Sequence, residues 1–429
     1  MTDKENRRTN EVSSTSTSHA IDTYLPESPS ARRGVALCLS GGGYRASVFH
    51  LGALRRLNEL GLLSQVDTVT SVSGGSITSA FIAAYLLERQ GVWPSSGDVV
   101  ADWEEKFSKP LRSFVKTNIR TEAIFKRFSP AHWLDSNAAT NALAARFGQA
   151  ASHRPIHDLP ERPRFIFCAT DNKFRSQWVM DSGRDRIGDV KAGYITPIPK
   201  EWTIALAAAI SACLPIALSA RKLNLDPDQL TGGSYKAKNR KDLVSRIELS
   251  DGGVYDNLGV EPVWQDHAIV LVSDGGPSLS AEPPFGPFWR SLRHIVTLLE
   301  QVTELRKRWL ISSMIRGDMQ GAYWSMGSLP SSYERTPDVS VYPDDLIRDV
   351  ISQVRVDLDA FTDAEVAVLE NHGYAMADLA IKQHLSAHIT QPNATPQIPH
   401  PEYMNNFESV AAALANSGRY SPLGQGRWW

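Results

Sequence analysis

The chain has 429 residues, of which 42% are hydrophobic and 21% are charged, and its formal net charge is −2 at pH 7. This composition is typical of a soluble globular protein, and the balance of 45 basic and 47 acidic residues excludes the strongly basic character of most nucleic-acid-binding proteins. Three cysteines (Cys38, Cys168 and Cys213) lie far apart in apolar surroundings, which predicts buried thiols in a reducing compartment rather than zinc or redox chemistry.

The first 33 residues are polar and rich in serine and threonine. They lack the apolar core of a signal peptide, so we expect a disordered tail over residues 1–33. One later stretch, WTIALAAAISACLPIALSA from Trp202 to Ala220, is long enough to span a membrane. Its alanine content and Pro215 favour a buried helix followed by a turn. The sequence therefore predicts no transmembrane helix.

Strand and helix patterns alternate after the tail. GVALCLS (34–40) is typical of a buried strand, and residues 44–61 have apolar side chains at helical spacing before a glycine. VDTVTSV (66–72) predicts a second strand, and residues 74–91 predict a largely buried helix. RPRFIFCATD and HAIVLVSD predict two further core strands. This order is typical of an α/β domain whose sheet is at least partly parallel.

In the second half of the chain, the sequence pattern mostly predicts polar loops and helices. Residues 221–246 predict a long surface loop, and the segment after Phe285 predicts one long helix or two shorter ones. FTDAEVAVLENHG contains a capping box, Thr362 with Glu365, and is expected to end at Gly373 before another helix. From residue 390 the chain is rich in proline and asparagine, as expected of a tail.

The stretch SVSGGS (71–76) places Ser73 between a predicted strand and a predicted helix. A nucleophilic serine on such a strained turn needs small residues two positions before and after it, and Ser71 and Gly75 are both small. Ser71 nevertheless stands where the usual GxSxG elbow has glycine. Gly74 and Gly75 let the next helix begin near Ser73, where its free amides favour developing negative charge. A helix N-cap flanked by glycines is the alternative.

A glycine cluster, SGGGYR (40–45), also lies between a predicted strand and a predicted helix. The amides of Gly41, Gly42 and Gly43 suit an oxyanion hole or an anion nest, and Arg45 would orient the loop or meet an anionic head group. The cluster lacks the GK[ST] of a P-loop and the spacing of GxGxxG, so nucleotide binding has little support. A plain glycine turn is the alternative.

Asp251 precedes two glycines in ELSDGGVYDNLGVEP. An Asp-Gly turn is the simple interpretation. However, a carboxylate backed by glycines can approach a serine closely, and neither His50 nor His267 stands in a catalytic motif. The ordinary pKa of aspartate is about 3.9, so burial would have to raise it for Asp251 to act as a base. Asp274, which also precedes two glycines, is a rival candidate.

Together, these three motifs resemble those of the patatin-like phospholipases, a family related to the catalytic domain of cytosolic phospholipase A2. The resemblance rests on residues 41–45, 71–75 and 251–253 in that order and spacing. AAAISACLPIAL is similar to the family's Ala-Ser-x-Ala-x-Pro segment, with Ser211, Ala212 and Pro215 in its place and one extra residue between the alanine-rich stretch and the proline. The resemblance to the family continues after Asp251 through VYDNLGVEP, whereas no such continuation follows Asp274, which favours Asp251 as the base.

The resemblance implies a three-layer α/β/α fold and a Ser-Asp dyad that hydrolyses fatty acyl esters of phospholipids or lysophospholipids. Ser73 would be the nucleophile and Asp251 the base. Further residues are implied in the oxyanion hole, namely Gly41, Gly42, Gly43 and Arg45, and in support of the elbow, namely Ser71, Gly74 and Gly75. A neutral-lipid lipase or thioesterase would share the dyad, and a non-catalytic lipid-binding protein could keep the fold.

We therefore expect an N-terminal tail (1–33), a patatin-like catalytic domain (34–280), a helical extension packed on it (281–389) and a C-terminal tail (390–429). The expected partners are a phospholipid or other glycerolipid substrate and, transiently, a membrane surface, with no nucleic acid. The aromatic and basic segment after Phe285 suits such contact, although a core helix with solvated charges is the alternative. We expect a cytoplasmic protein, peripheral at the membrane, without cofactor or metal; its oligomeric state is not indicated.

Overall fold

The computed structural model describes residues 31–128, 135–214, 218–276, 287–415 and 417, and the side chains of all of these except 127–128 and 287–296. The predicted N-terminal tail therefore lies almost entirely outside the described residues. Pro215 and residues 418–429 lie outside them as well.

A mixed β-sheet forms the centre of the described chain. Its strands are β1 (Val35–Leu39), β2 (Val66–Ser71), β3 (Arg164–Asp171), β4 (Ser176–Asp181), β5 (Arg186–Asp189), β6 (Gly193–Ile195), β7 (Arg221–Leu223), β8 (Ile247–Asp251), β9 (Ile269–Asp274) and β10 (Gln320–Ser325). The order is β10-β9-β1-β2-β3-β4-β5-β6, and β8 pairs with both β3 and β7. Neighbouring strands in the first part of this order, β10, β9, β1, β2 and β3, are parallel, as the alternation of strands and helices predicted. The remaining strands, β4 to β8, form antiparallel pairs.

The described residues also form α-helices between and after the strands. They are α1 (Gly43–Glu59), α2 (Gly74–Glu88), α3 (Lys109–Val115), α4 (Arg120–Phe128), α5 (Ala138–Ala150), α6 (Ile204–Ser211), α7 (Arg240–Val244), α8 (Gly253–Asp256), α9 (Pro287–Ile315), α10 (Asp344–Asp349), α11 (Asp363–His384) and α12 (Phe407–Leu414). Helix α6 is the buried helix predicted within residues 202–220. No helix in these described ranges is both long and apolar enough to cross a membrane.

Helices cover both faces of the sheet. Along β1, Leu37 and Leu39 point into a large apolar core that includes side chains of α1, α2 and α11. Their neighbours Ala36 and Cys38 point to the opposite face, where Leu310 of α9 packs. Because successive side chains of a strand point to opposite faces, both faces of the sheet are buried. The predicted α/β fold with helices on either side of the sheet is confirmed.

Helix α11 differs from its prediction in length. Its capping box of Thr362 and Glu365 is present, but the helix does not end at Gly373 and runs on to His384. Gly373 instead allows close packing, because a Cβ at this position would lie 2.0 Å from the carbonyl oxygen of Phe49 in α1. Gly52 of α1 has the same role, since its Cβ would lie 1.8 Å from the carbonyl oxygen of Glu370.

Three segments contain regular structure where another structure was expected. Residues 221–246, expected to be a long surface loop, contain strand β7 and helix α7. The region 281–389, expected to be helical, contributes strand β10, which extends the central sheet beside β9. The region 390–429, expected to be a tail, contains helix α12 with Val410 and Leu414 buried. Strand β10 and helix α12 are short, and their apolar side chains pack against residues distant in the sequence. The long helix after Phe285 is a single helix, α9.

Candidate active site

Ser73 and Asp251 meet because two strands end on the same edge of β3. Strand β2 runs parallel to β3 and ends with Ser71 opposite Phe167. Strand β8 runs antiparallel to β3 and ends with Asp251 opposite Ala169. The two strands approach each other from opposite ends of β3. The elbow after β2 and the carboxyl end of β8 therefore come together beside Cys168, the residue of β3 between Phe167 and Ala169.

Ser73 occupies a strained turn between β2 and α2. Its backbone has φ 49° and ψ −114°, in the region of positive φ that side chains other than glycine rarely adopt. The turn fits only because its neighbours are small: a Cβ on Gly75 would lie 2.1 Å from the carbonyl oxygen of Leu39. The Ser73 amide donates a hydrogen bond to the hydroxyl of Ser211, 2.9 Å away. This is the geometry of a nucleophile elbow.

The Asp251 carboxyl lies beside Ser73 and is only 3% exposed. Burial raises its pKa to about 6, although the Gly253 amide, which donates to Oδ1 at 2.8 Å, and the nearby Ser73 hydroxyl each lower it. The other oxygen, Oδ2, is buried and accepts no hydrogen bond from a described residue. An ionised carboxylate with a raised pKa and a vacant acceptor oxygen is suited to take a proton from the serine.

The glycine loop between β1 and α1 supplies free amides next to this pair. Gly42 and Gly43 have φ values of 147° and 60°. Neither their amides nor that of Gly74 donate a hydrogen bond to another described residue, as expected at the first turns of α1 and α2. The amide of Gly41 is different, because it donates to the carbonyl oxygen of Asn257 at 3.0 Å. Three amides thus remain available to bind an oxyanion.

Asn257 is a part of the site that the sequence analysis did not single out. A Cβ on Gly41 would lie 2.3 Å from its side-chain oxygen, and a Cβ on Gly253 would lie 2.6 Å from the same atom. Asn257 therefore joins the glycine loop to the segment after Asp251 by contact and by the hydrogen bond from Gly41. Its position in the DGGVYDN stretch, six residues after Asp251, was the available signal.

Arg45 does not point to a head-group site. Its side chain is 2% exposed, and its guanidinium donates to the carbonyl oxygens of Gly275 (3.1 and 3.2 Å), Ser352 (3.3 Å) and Val354 (3.0 Å). Burial lowers its pKa to about 10, against the opposing effect of the nearby Asp274. These contacts favour orientation of the loop. They direct the guanidinium of Arg45 at backbone carbonyl oxygens, so they give no support to contact with an anionic head group or to a place for Arg45 in the oxyanion hole.

The rival Asp274 is fully engaged in the interior. It accepts hydrogen bonds from Tyr323 Oη at 2.7 Å and the Gly276 amide at 2.9 Å, and it pairs with Lys307 at 3.1 Å. Burial would raise the pKa of its carboxyl, but Lys307 and the two hydrogen bonds outweigh burial and hold the pKa below its ordinary value. A carboxylate so stabilised is a poor proton acceptor.

Both histidines considered as catalytic alternatives make hydrogen bonds to residues in the strands or in the segments next to them. His50 contacts Ser273 Oγ at 2.8 Å and the carbonyl oxygen of Ser40 at 2.9 Å, and burial lowers its pKa to about 4. His267 contacts Thr68 Oγ1 at 2.9 Å and Asp266 at 2.6 Å. Neither side chain is bonded to Ser73 or Asp251.

Comparison with protein families gives one match. A family model described as patatin-like phospholipase matches residues 37–264, which is more than half of the chain. The matched span contains the glycine loop, Ser73 and Asp251. No curated protein matches the sequence.

Several solved structures show weak similarity. Human GIVD cytosolic phospholipase A2 is 12% identical, with a TM-score of 0.41, over 89% of this chain and 63% of that one. The same human protein in complex with methyl γ-linolenyl fluorophosphonate is 14% identical, with a TM-score of 0.43, over 85% and 60%. VipD from Legionella pneumophila is 12% identical, with a TM-score of 0.34, over 82% and 67%. The chain thus spans less than two thirds of the length of the human structures.

Proposed function

The chain belongs to the patatin-like phospholipase family, and on that basis we propose that it is a serine acylhydrolase that cleaves fatty acyl esters of phospholipids or lysophospholipids. The observation that carries this proposal is the pairing of Ser73, on a strained elbow, with the buried Asp251. The carboxyl oxygen Oδ2 of Asp251 has no hydrogen-bond partner among the described residues, and its pKa is raised to about 6. This oxygen is therefore open to the proton of the neighbouring Ser73 hydroxyl.

In the first half-reaction, Asp251 accepts the proton of the Ser73 hydroxyl while Oγ attacks the carbonyl carbon of the ester. Negative charge then develops on the carbonyl oxygen, where the free amides of Gly42, Gly43 and Gly74 donate hydrogen bonds to it. The tetrahedral intermediate collapses with cleavage of the ester C–O bond. The departing alcohol, a lysophospholipid or glycerophosphoryl group, takes the proton from Asp251 and leaves the acyl group on Ser73.

In the second half-reaction, a water molecule replaces the alcohol. Asp251, again ionised, accepts a proton from this water as its oxygen attacks the acyl carbon, and the same amides stabilise the second oxyanion. Collapse of the intermediate breaks the bond to Ser73 Oγ, which recovers the proton from Asp251. Fatty acid is released and the dyad returns to its starting state.

We also propose that helix α9 brings the enzyme into transient contact with a lipid surface. Its exposed apolar side chains are Leu298, Val302, Leu305, Trp309, Ile311 and Ile315. The first four recur at steps of three and four residues and so share one face of the helix. Helix α9 lies near Asp251, because Arg306 donates a hydrogen bond to the carbonyl oxygen of Tyr255, 3.1 Å away. Tyr255 belongs to α8, the short helix that follows Asp251. Two of its basic residues are held in ion pairs, Arg306 with Glu261 and Lys307 with Asp274, so the support for lipid contact comes from the apolar side chains.

Fatty-acid release from mixed phospholipid vesicles tests the proposal. Wild-type protein should release fatty acid. Ser73→Ala and Asp251→Asn should each abolish this release and leave the midpoint of thermal unfolding unchanged. Ser79→Ala is the matched control for the first variant, because Ser79 is a buried serine of helix α2, which follows Ser73, and its hydroxyl has no hydrogen-bond partner among the described residues. Asp274→Asn tests the rival carboxylate.

The outcomes separate the alternatives. Release that survives Ser73→Ala would exclude the dyad, and loss of release in folded Asp274→Asn but not in Asp251→Asn would move the base to Asp274. Hydrolysis of triacylglycerol or acyl thioesters in preference to phospholipid would replace the proposed substrate class while keeping the dyad. Binding to vesicles without hydrolysis of any ester would indicate a lipid-binding protein.

A further inference from the structure

A chain of buried serine hydroxyls lies beneath the nucleophile elbow. Ser71, at the end of β2, and Ser76, in the first turn of α2, have their hydroxyl oxygens 3.1 Å apart. Ser76 Oγ lies 2.9 Å from Ser211 Oγ at the end of α6. Ser211 in turn contacts the Ser73 amide at 2.9 Å and the carbonyl oxygen of Cys168 in β3 at 2.6 Å.

We propose that Ser211, oriented by Ser76 and Ser71, is the positioning residue that holds Ser73 in its reactive conformation. Ser71 would then have a function that the glycine usually found at its position could not perform. The inference rests on the proposed function, because it assumes that Ser73 is the nucleophile. It adds a hydrogen-bond chain to the Ser-Asp dyad.

Counting protons gives the direction of every bond in this chain. The Cys168 carbonyl can only accept, so the hydroxyl proton of Ser211 must point toward it. Ser211 Oγ then has two lone pairs left, which accept the amide proton of Ser73 and the hydroxyl proton of Ser76. Ser76 lies within hydrogen-bond distance of both Ser211 and Ser71 but has only one hydroxyl proton. Every contact of the chain has a proton of its own when Ser76 donates to Ser211 and accepts from Ser71. Two donors, the Ser73 amide and the Ser76 hydroxyl, therefore converge on the Ser211 oxygen.

Burial makes this arrangement specific. Ser71, Ser76 and Ser211 are each at most 1% exposed. The protein chain itself therefore supplies the donors and acceptors of these hydroxyls, and hydrogen bonds in a water-poor interior polarise one another along a chain. Removing Ser71 would leave Ser76 free to rotate its hydroxyl away from Ser211, which would weaken the orientation of Ser211 toward Ser73.

The strained backbone of Ser73 explains why such support is needed. A residue at φ 49° and ψ −114° keeps that conformation only when its surroundings hold it there. The bond from its own amide to Ser211 is the one hydrogen bond that this amide makes to a described residue. Ser211 therefore fixes the backbone from which the Ser73 hydroxyl projects toward Asp251, without contact with substrate.

The test measures the reactivity of Ser73 directly, as the rate of covalent labelling by a long-chain methyl fluorophosphonate, together with kcat and KM on phospholipid vesicles. Full-length Ser211→Ala should label about 10- to 100-fold more slowly than wild type, with kcat reduced in parallel, because small misplacements of a nucleophile have effects of this size. KM and the pH midpoint of activity should not change, since neither substrate binding nor Asp251 is altered. Ser79→Ala, which removes an unbonded hydroxyl from α2, should label like wild type.

Two substitutions at position 71 separate hydrogen bonding from size. Ser71→Ala and Ser71→Gly both remove the hydroxyl, so both should slow labelling, by about three- to tenfold, although the second restores the usual glycine of the elbow. The double variant with Ser71→Ala and Ser211→Ala should label no more slowly than Ser211→Ala alone, because Ser71 acts through Ser211. The two single substitutions at position 71 still test the hydrogen-bond chain if Ser211→Ala does not fold.

Each contrary result has its own meaning. Labelling of Ser211→Ala at the wild-type rate, or of Ser71→Gly at or above it, overturns the positioning role. Additive losses in the double variant overturn the proposed route through Ser211. If wild type is labelled at Ser73 but releases no fatty acid from phospholipid, the substrate proposal fails and the positioning role is still judged by labelling. If wild type is not labelled, the nucleophile assignment and this inference both fail.

Discussion

Gly74 lies so close to Gly43 that a Cβ on Gly74 would sit 2.1 Å from the Gly43 carbonyl oxygen. This contact locks the nucleophile elbow against the glycine loop, and it places the free amides of both residues at the same site. We expect Gly74→Ala to push the two loops apart and lower kcat by about 100-fold or more, the usual effect of losing one oxyanion donor. Rates of fatty-acid release from vesicles, with KM measured in parallel, check this.

The matched control is Gly327→Ala, because Gly327 is an exposed glycine where an added Cβ would have no heavy atom within 4 Å. It should leave kcat unchanged. If folded Gly74→Ala is as active as Gly327→Ala, the contact between the two loops does not define the oxyanion site.

Activity should depend on the protonation of Asp251. Burial raises the pKa of this carboxyl above its ordinary value, to about 6, and only the ionised form can accept the proton of Ser73. The kcat/KM for a soluble short-chain ester should therefore be low at pH 5, rise through a midpoint near 6 and level off above pH 7. A profile that is flat between pH 4.5 and 7.5, with the protein folded throughout, would contradict this role.

The sequence allowed prediction of the elements that form locally. Strand β1 and helix α1 follow the apolar patterns over residues 34–40 and 44–61, and the elbow and the glycine loop lie where those patterns change. The three motifs could be recognised because a tight turn or a free amide requires glycine or another small residue at a fixed spacing. The family was predicted on these motifs, and the match over residues 37–264 confirms it.

What the sequence did not predict depends on contacts between distant segments. Arg45 looked able to meet a head group, but its partners include the carbonyl oxygens of Ser352 and Val354, some 300 residues away in the sequence. Gly373 looked like a helix end because its packing against Phe49 of α1 is a tertiary contact. The serine chain was missed for the same reason, since Ser211 belongs to α6 and the elbow follows β2.

Lipid contact through α9 gives a prediction that separates binding from chemistry. Leu298 and Leu305 are 67% and 58% exposed, and replacing either with aspartate puts a charge where an apolar side chain would enter the lipid surface. We expect the double variant Leu298→Asp with Leu305→Asp to bind phospholipid vesicles several-fold less, measured as the fraction of protein recovered with the vesicles in a flotation assay. It should also hydrolyse the vesicle phospholipids more slowly. Hydrolysis of a soluble short-chain ester should not change, because the dyad is untouched.

The control for the α9 variant is Val92→Asp, since Val92 is 64% exposed and lies outside that helix. It should bind and hydrolyse vesicles like wild type. Equal loss of vesicle binding in Val92→Asp would mean that added negative charge, rather than the apolar side chains of α9, is responsible. Unchanged binding of the α9 variant would place the lipid contact elsewhere.

A second buried acid predicts a pH effect on stability that is separate from catalysis. Burial, and then the neighbouring carboxyl of Asp189, raise the pKa of Asp171 to about 7. Oδ1 of Asp171 caps the turn after β3 by accepting from the amides of Lys173 and Phe174, and Oδ1 of Asp189 caps the turn after β5. Lys191 joins the two turns by donating to the carbonyl oxygen of Phe174 at 2.8 Å.

The sign of the effect follows from proton binding. Because the folded state holds a proton on Asp171 more tightly than the unfolded state does, the pair contributes stability at low pH that is lost as the pH rises from about 4 through about 7. Asp171→Asn keeps the capping oxygen and stays uncharged, so it should remove this loss and raise the thermal midpoint relative to wild type at pH 8 more than at pH 5. The exposed Asp228→Asn should shift both midpoints equally. If Asp171→Asn does not raise the midpoint more at pH 8 than at pH 5, the folded state does not hold the Asp171 proton more tightly than the unfolded state does.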